Sequence, residues 1–216
     1  EYGPFPRVDG VAGWKSSGHP DNPRGFGTES GFGPLDRMPR HGWGIGRAPW
    51  RYADGPDRDP LPDELNTRYA AAVLARRHDQ PFLLVVGYHR PHAPLYETPD
   101  HFRAIDRTAI ALPDDADDLA DCARALVPGR QCALATTWAF DKYQLVRKAG
   151  PEQLRGFIHA YLACVHAVDE QIGALVAALD AGPHARDTVV IVTSDHGYHL
   201  GEKRALFKNT LWEEAV

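Results

Sequence analysis

The chain has 216 residues, of which 43% are hydrophobic and 25% charged, which is ordinary globular usage and excludes wholesale disorder, a collagen-like repeat and a coiled coil. A formal net charge of -5, from 24 basic against 29 acidic residues with no stretch that concentrates Lys and Arg, gives no basis for a nucleic-acid partner held by phosphate neutralisation. The longest unbroken apolar run, residues 82–87, falls far short of the roughly 20 residues that a membrane span needs, so no span is expected.

The first residue is Glu1, and the opening segment has neither the basic start nor the apolar centre of a signal peptide. The far end, Trp212 to Val216, stops without a closing Gly, Pro or polar tail, so the chain reads as a piece cut at both ends from an exported parent. Residues 1–63 hold 12 of the 20 Gly and 10 of the 18 Pro and show no sustained period of 2 or 3.6. Aromatics recur throughout that stretch, which a free linker would lack, so it reads as a loop region packed on a folded body formed by residues 64–216.

Asp63 is placed to cap a helix running to about Arg77. The run PFLLVVGY that follows is continuously apolar and bounded by Pro and Gly, as in a buried parallel strand. It leads into His89-Arg90-Pro91-His92-Ala93-Pro94, where two prolines stiffen a loop able to turn two imidazoles and a guanidinium towards an anion. A rigid surface turn with incidental histidines accounts for the same residues. The acidic cluster Asp114, Asp115, Asp117, Asp118 and Asp121 lacks the spacing and the Gly of a calcium loop and reads as a solvated turn or helix start.

Pro151 suits a first helical turn, and Leu154, Phe157, Ile158, Tyr161, Leu162, Val165, Val168, Ile172, Leu175, Val176 and Leu179 fall three or four apart, predicting one long amphipathic helix ended at Gly182-Pro183. Cys164 lies on its apolar face as a buried thiol; Cys122 and Cys132 are close enough in sequence for a local disulfide, and none of the three has zinc-site spacing. Residues 188–193 form a β-branched run expected in the middle of a parallel sheet. The order of strand, helix and strand predicts an α/β fold, a mainly parallel sheet flanked by helices and incomplete at both ends. The second run ends in Ser194-Asp195-His196-Gly197. A carboxylate there costs several kcal/mol to bury unless a cation compensates it, so a metal held by Asp195 and His196 is the economical reading, against Asp195 as a cap and His196 on the surface. Lys208, taken alone, is a surface lysine with a packed stem.

Three segments in order, PFLLVVGYHRPHAPL (81–95), AYLACVHAVDEQIGALVAALD (160–180) and VVIVTSDHGYHLGEKRALFKNTLWEEA (189–215), resemble the type I sulfatases of the alkaline-phosphatase superfamily, particularly the branch that includes iduronate sulfatase. The resemblance implies an alkaline-phosphatase-like α/β domain and hydrolysis of sulfate esters on a sulfated small molecule or glycan. It implies Ca2+ held in part by Asp195 and His196, although many relatives have Asn at the second position, a donor better suited to calcium. It implies His92 against the sulfate and leaving-group oxygen, and Lys208 on a sulfate oxygen. The family's formylglycine nucleophile, made from Cys or Ser in a Cys/Ser-x-Pro-x-Arg motif by a formylglycine-generating enzyme, and its early aspartates are expected upstream. No cysteine or serine of the chain stands in that motif, so the chain alone is expected to be inactive. A phosphatase, phosphodiesterase or phosphonate monoester hydrolase of the same superfamily, and a non-catalytic anion-binding relative, are the alternatives.

Overall fold

A computed structural model describes residues 60–92, 95, 97–114, 119–120, 137–208, 210 and 212–215. The loop region 1–63, apart from residues 60–63, lies outside the described residues, as do Cys122, Cys132 and most of the acidic cluster.

Four helices are α1 (Pro62–Leu74), α2 (Pro99–Arg103), α3 (Thr137–Lys148) and α4 (Pro151–Asp180), followed by two-residue strands β1 (His199–Leu200) and β2 (Leu206–Phe207). α4 is the spine: α1, α2, α3 and β1 all pack on it. It begins sharply because Gly150, at φ 106, adopts a backbone that side-chain-bearing residues avoid, and Pro151 supplies the first helical φ without needing a hydrogen-bond partner. Gly150 also closes α3, donating its N–H to the Arg147 carbonyl at 2.9 Å.

The buried face of α4 consists of Leu154, Gly156, Phe157, Ile158, Ala160, Ala163, Cys164, Ala167 and Leu179. This differs from the expected stripe. Small residues occupy much of the contact face, letting neighbouring backbone approach closely, whereas Val165 and Val176 are exposed. Against that face lie Leu95, Ile110, Tyr143, Val146, Leu206 and Phe207. Cys164 is free and buried as expected, and burial raises its thiol pKa. By length and composition α4 is also apolar enough to cross a bilayer, although polar residues interrupt its apolar runs. Three other helices pack against it, and Asp169 and Glu170 place charge along it, so length and composition alone do not make it a span.

Asp63 is not the N-cap of α1. That position is Leu61, whose N–H donates to the carboxylate of Glu64 at 2.7 Å, and the helix ends at Leu74. Asp63 sits in the first turn and is used for tertiary contact: its two carboxylate oxygens accept the backbone N–H groups of His89 at 2.8 Å and Arg90 at 2.9 Å. Asn66 donates to the Gly87 carbonyl at 3.0 Å, and the Thr67 and Tyr88 hydroxyls lie 3.1 Å apart. Residues 82–90 therefore run as an extended segment along α1.

The expected parallel strands need correction. Residues 82–87 and 188–193 are extended, yet neither joins a ladder among the described residues, where the small β1–β2 pair is antiparallel. Alternation survives in the first segment: Phe82, Leu84 and Val86 are half-buried while Leu83 and Val85 are exposed. In the second, Val189 is 85% and Ile191 81% exposed. A continuous apolar run encodes a demand for cover on both faces, and it cannot form a ladder until a neighbouring strand is aligned beside it.

The turn between β1 and β2 depends on Gly201, whose φ is 127 and whose added Cβ would lie 3.1 Å from the Pro113 ring and 3.4 Å from Leu154. Gly201→Ala is expected to lower stability by about 1–3 kcal/mol through backbone strain, with further loss if Pro113 cannot give way. Urea unfolding checks this, and an unchanged midpoint would show that the turn does not need the glycine.

Candidate functional site

The segment after residue 193 turns tightly. Ser194 donates its hydroxyl to the His196 carbonyl at 2.7 Å, and His196 Nδ1 lies 2.8 Å from the carbonyl of Gly197. A proton on Nδ1 satisfies that carbonyl and leaves Nε2 as an acceptor. The chain then enters β1, turns at Gly201 and returns through β2, with His199 opposite Phe207 and Leu200 opposite Leu206. Antiparallel return brings the residue after Phe207 back alongside the residues before His199. Lys208 Nζ lies 2.9 Å from His196 Nε2, a bond the ammonium donates. His196 Nε2 is in turn 3.5 Å from Asp195 Oδ2. Phe207 holds a left-handed φ of 70 immediately before Lys208, a local strain of the kind that directs a side chain.

Below this turn His199 is fully buried and its Nε2 is 2.7 Å from the Thr210 hydroxyl, with the Trp212 ring edge-on at 5.8 Å. Tyr198 stacks on Tyr161 of α4 at 4.6 Å, and Phe207 meets Phe157 edge-on at 5.4 Å. These rings tie the hairpin carrying Lys208 to the spine helix.

Asp195 offers an exposed carboxylate, a hard oxygen donor that fits calcium. His196 offers a nitrogen that fits a softer divalent ion better, and that nitrogen already accepts from Lys208. The two residues thus supply one well-suited calcium donor and one that becomes available only when Lys208 moves.

His92 stands at the end of the other extended segment. Its N–H donates to the His89 carbonyl at 2.9 Å, and the two imidazole rings lie 4.8 Å apart. The His92 side chain is exposed, whereas Arg90 turns inward. Its Nε donates to Glu97 at 2.9 Å with both side chains nearly inaccessible, so the guanidinium is engaged in the core and is not the anion-facing cation that the loop composition suggested.

Sequence reasoning missed this buried network. Glu97 is completely buried between Arg90 and His101, whose Nδ1 is 3.0 Å away, and His101 Nε2 reaches Glu170 of α4 at 3.1 Å. Burial alone would raise the pKa of Glu97, but the hydrogen bond from His101 and the charge of Arg90 outweigh it and hold the carboxyl below its ordinary value. Asp63 goes the other way: burial outweighs Arg90 and the two backbone donors and raises it. The available signal was the spacing Arg90-x6-Glu97-x3-His101, which carries no recognisable motif.

A sequence model of the sulfatase family matches residues 20–215. The chain is 32% identical over 206 residues to a sulfatase of Formosa agariphila, covering 89% of this chain and 39% of that protein. It is 30% identical over 147 residues to human iduronate 2-sulfatase, covering 66% of this chain and 26% of the relative. A multifunctional alkaline phosphatase superfamily protein, PehA of Trinickia caryophylli, is 28% identical over 149 residues, or 66% of this chain and 28% of its own length. The chain thus spans well under half the length of these relatives.

Arg90→Met is expected to cost about 3–5 kcal/mol by leaving Glu97 buried without its cation. Adding Glu97→Gln should cost less than the two changes summed, with a coupling of about 0.5–3 kcal/mol in a denaturant double-mutant cycle. Strict additivity would mean that the pair does not interact in the folded state.

Proposed function

Because the chain belongs to the sulfatase family, whose established chemistry is hydrolysis of sulfuric esters, we propose that it forms one side of the sulfate site of such a hydrolase, acting on a sulfated sugar or glycan. The observation that supports this most is Lys208 held 2.9 Å from His196, beside Asp195. The named activity of the iduronate-acting relative favours a sugar substrate.

In this reading Lys208, which donates to His196, would turn to a bound sulfate. A sulfate oxygen is the stronger acceptor for an ammonium, since charge-assisted hydrogen bonds are about twice as strong as neutral ones. Anion arrival would draw Lys208 off His196 and free Nε2, so anion binding and the availability of that nitrogen are coupled. Lys208 then stabilises charge on the transferring group, and His92 positions or protonates the departing alcohol. Asp195 and His196 are the residues that would hold the family's metal, calcium in this reading, which when bound supplies further positive charge against the sulfate oxygens. The chain holds no Cys/Ser-x-Pro-x-Arg, so in this reading the nucleophile would be supplied by sequence outside these 216 residues. The two exposed apolar runs, 82–87 and 188–193, would pair with strands of that same longer protein.

The likeness to the alkaline phosphatase superfamily protein keeps phosphate-ester chemistry as a second reading. The deciding experiment is turnover by the longer natural protein that contains this chain, produced with a formylglycine-generating enzyme and offered an aryl sulfate beside an aryl phosphate. The sulfate should be preferred, and Lys208→Ala should lower kcat/KM by about 10²–10³, the loss typical of one oxyanion donor. The 216-residue chain alone should show no turnover with or without calcium. Preference for the phosphate would transfer the assignment to the second reading, and unchanged activity in Lys208→Ala would remove the lysine from the site.

A further inference from the structure

Away from the Lys208 turn, three side chains with metal-ligating atoms meet where α2 packs on α4. His166 and Glu170 are one helical turn apart and project from the same face of α4, and His101 reaches them from α2. One ligating atom of each lies within 4.8 Å of the others. His101 Nε2 is 3.1 Å from Glu170 Oε2, and His166 Nδ1 is 3.5 Å from Glu170 Oε1. A tetrahedral ion with bonds of about 2.0–2.1 Å sets its ligand atoms roughly 3.3 Å apart, and each imidazole nitrogen already lies near that distance from one oxygen of the Glu170 carboxylate, His101 from Oε2 and His166 from Oε1. Offering one oxygen to both nitrogens needs a rotation of the Glu170 carboxylate, whose side chain is 54% exposed, and bringing the two imidazoles together from within 4.8 Å needs a shift of the His166 ring, which is 35% exposed.

Two further observations point the cluster towards an ion. His166 Nδ1 is buried and makes no hydrogen bond, an unusual state for a ring nitrogen whose neighbours are polar. His101 is oriented from behind: its Nδ1 is 3.0 Å from Glu97, a carboxylate with no exposure that is itself fixed by Arg90. A proton on Nδ1 donated to Glu97 leaves Nε2 with a lone pair aimed at Glu170 and His166. Carboxylate, histidine and metal in line is the usual support of a histidine ligand.

We propose that His101, His166 and Glu170 form a binding site for a first-row divalent transition metal such as Zn2+, with Glu97 as the positioning residue for His101 and a fourth position open to water. Two imidazoles and one carboxylate are the donor set of a zinc ion rather than of calcium or magnesium, which take oxygen ligands. The ion would clip α2 to α4. It is separate from the Asp195–His196 pair and independent of the reading given above for Lys208.

The test is direct titration of the purified chain with Zn2+ by calorimetry, paired with Co2+ and absorption spectroscopy. The expected result is one saturable site with the strong visible bands of four-coordinate Co2+, and a higher thermal midpoint when Zn2+ is bound. His166→Ala and Glu170→Gln should each weaken binding at least 10-fold. Both side chains are partly exposed, so both variants should fold, which their midpoints without metal would report. Asp187→Asn, which removes an exposed carboxylate outside both this cluster and the turn near Lys208, should leave this binding unchanged. Absence of Zn2+ binding at high micromolar metal, or binding in His166→Ala and Glu170→Gln equal to the unsubstituted chain, would overturn the proposal and leave His101 as a charged imidazole between two carboxylates.

Discussion

Glu97 has no solvent exposure, and a carboxylate in that position must be met by positive charge or lose its place in the fold. Arg90 and His101 meet it from either side. Because Arg90 is also held through its backbone N–H by Asp63 of α1, and His101 reaches Glu170 of α4, one buried anion ties four parts of the chain together: the first turn of α1, the loop that follows residue 88, α2 and the spine helix. Apolar contact alone would set α2 poorly, since it has only five residues and His101 is its buried member. Directional, charge-assisted bonds fix what so short a helix cannot fix by packing.

The same constraint accounts for the orientation of the loop carrying His92. Asp63 accepts the N–H groups of His89 and Arg90, Arg90 is drawn inward to Glu97, and the exposed side of the turn is left to His92. Two neighbouring cationic residue types thus have opposite fates, one spent on the core and one facing solvent. Composition places both in the loop but does not say which way either points, because that depends on an acceptor seven residues further along and on a carboxylate 27 residues earlier.

What was legible in the sequence is what local periodicity and capping determine. α4 begins at Pro151 and ends just before Gly182-Pro183 because proline at a first turn and glycine-proline after a last one act on the backbone directly. α1 is readable for a similar reason, although Asp63, placed by the sequence as its cap, gives its carboxylate to a distant backbone. Of the candidate site residues, Asp195 and His196 stand out because a polar cluster after a β-branched run is locally anomalous, whereas Lys208 stands out only through the family resemblance. Glu97, His101, His166 and Glu170 do not, since each is an ordinary residue in its own segment, and Arg90 stands out only as an anion-facing cation, a role its burial on Glu97 rules out. His166 and Glu170 share a helical face with an i, i+4 spacing that surface residues commonly have, and only the docking of α2 gives that face a purpose.

The runs 82–87 and 188–193 show the complementary case, in which sequence states a requirement that the described residues do not meet. Leu83 is 87% exposed and Val189 85%, and burying a side chain of this kind is worth about 1.5–3 kcal/mol. The half-buried alternate residues Phe82, Leu84 and Val86 show one face of the first run already laid against the helices, so its exposed face is the one that still requires a partner. The second run ends at the turn that carries Asp195 and His196. A strand aligned beside it would restrain the backbone leading into that turn by hydrogen bonds as well as by burial, and would limit the freedom of Asp195, which is 77% exposed at its side chain. Lys208 is restrained differently, through a hairpin stacked on α4 by Tyr198 and Phe207. The cation of the turn is therefore anchored by contacts within the chain, whereas the carboxylate beside it follows a segment that joins no ladder among the described residues. If Asp195 and His196 hold a metal as proposed, strands added beside 188–193 would order the backbone that carries them.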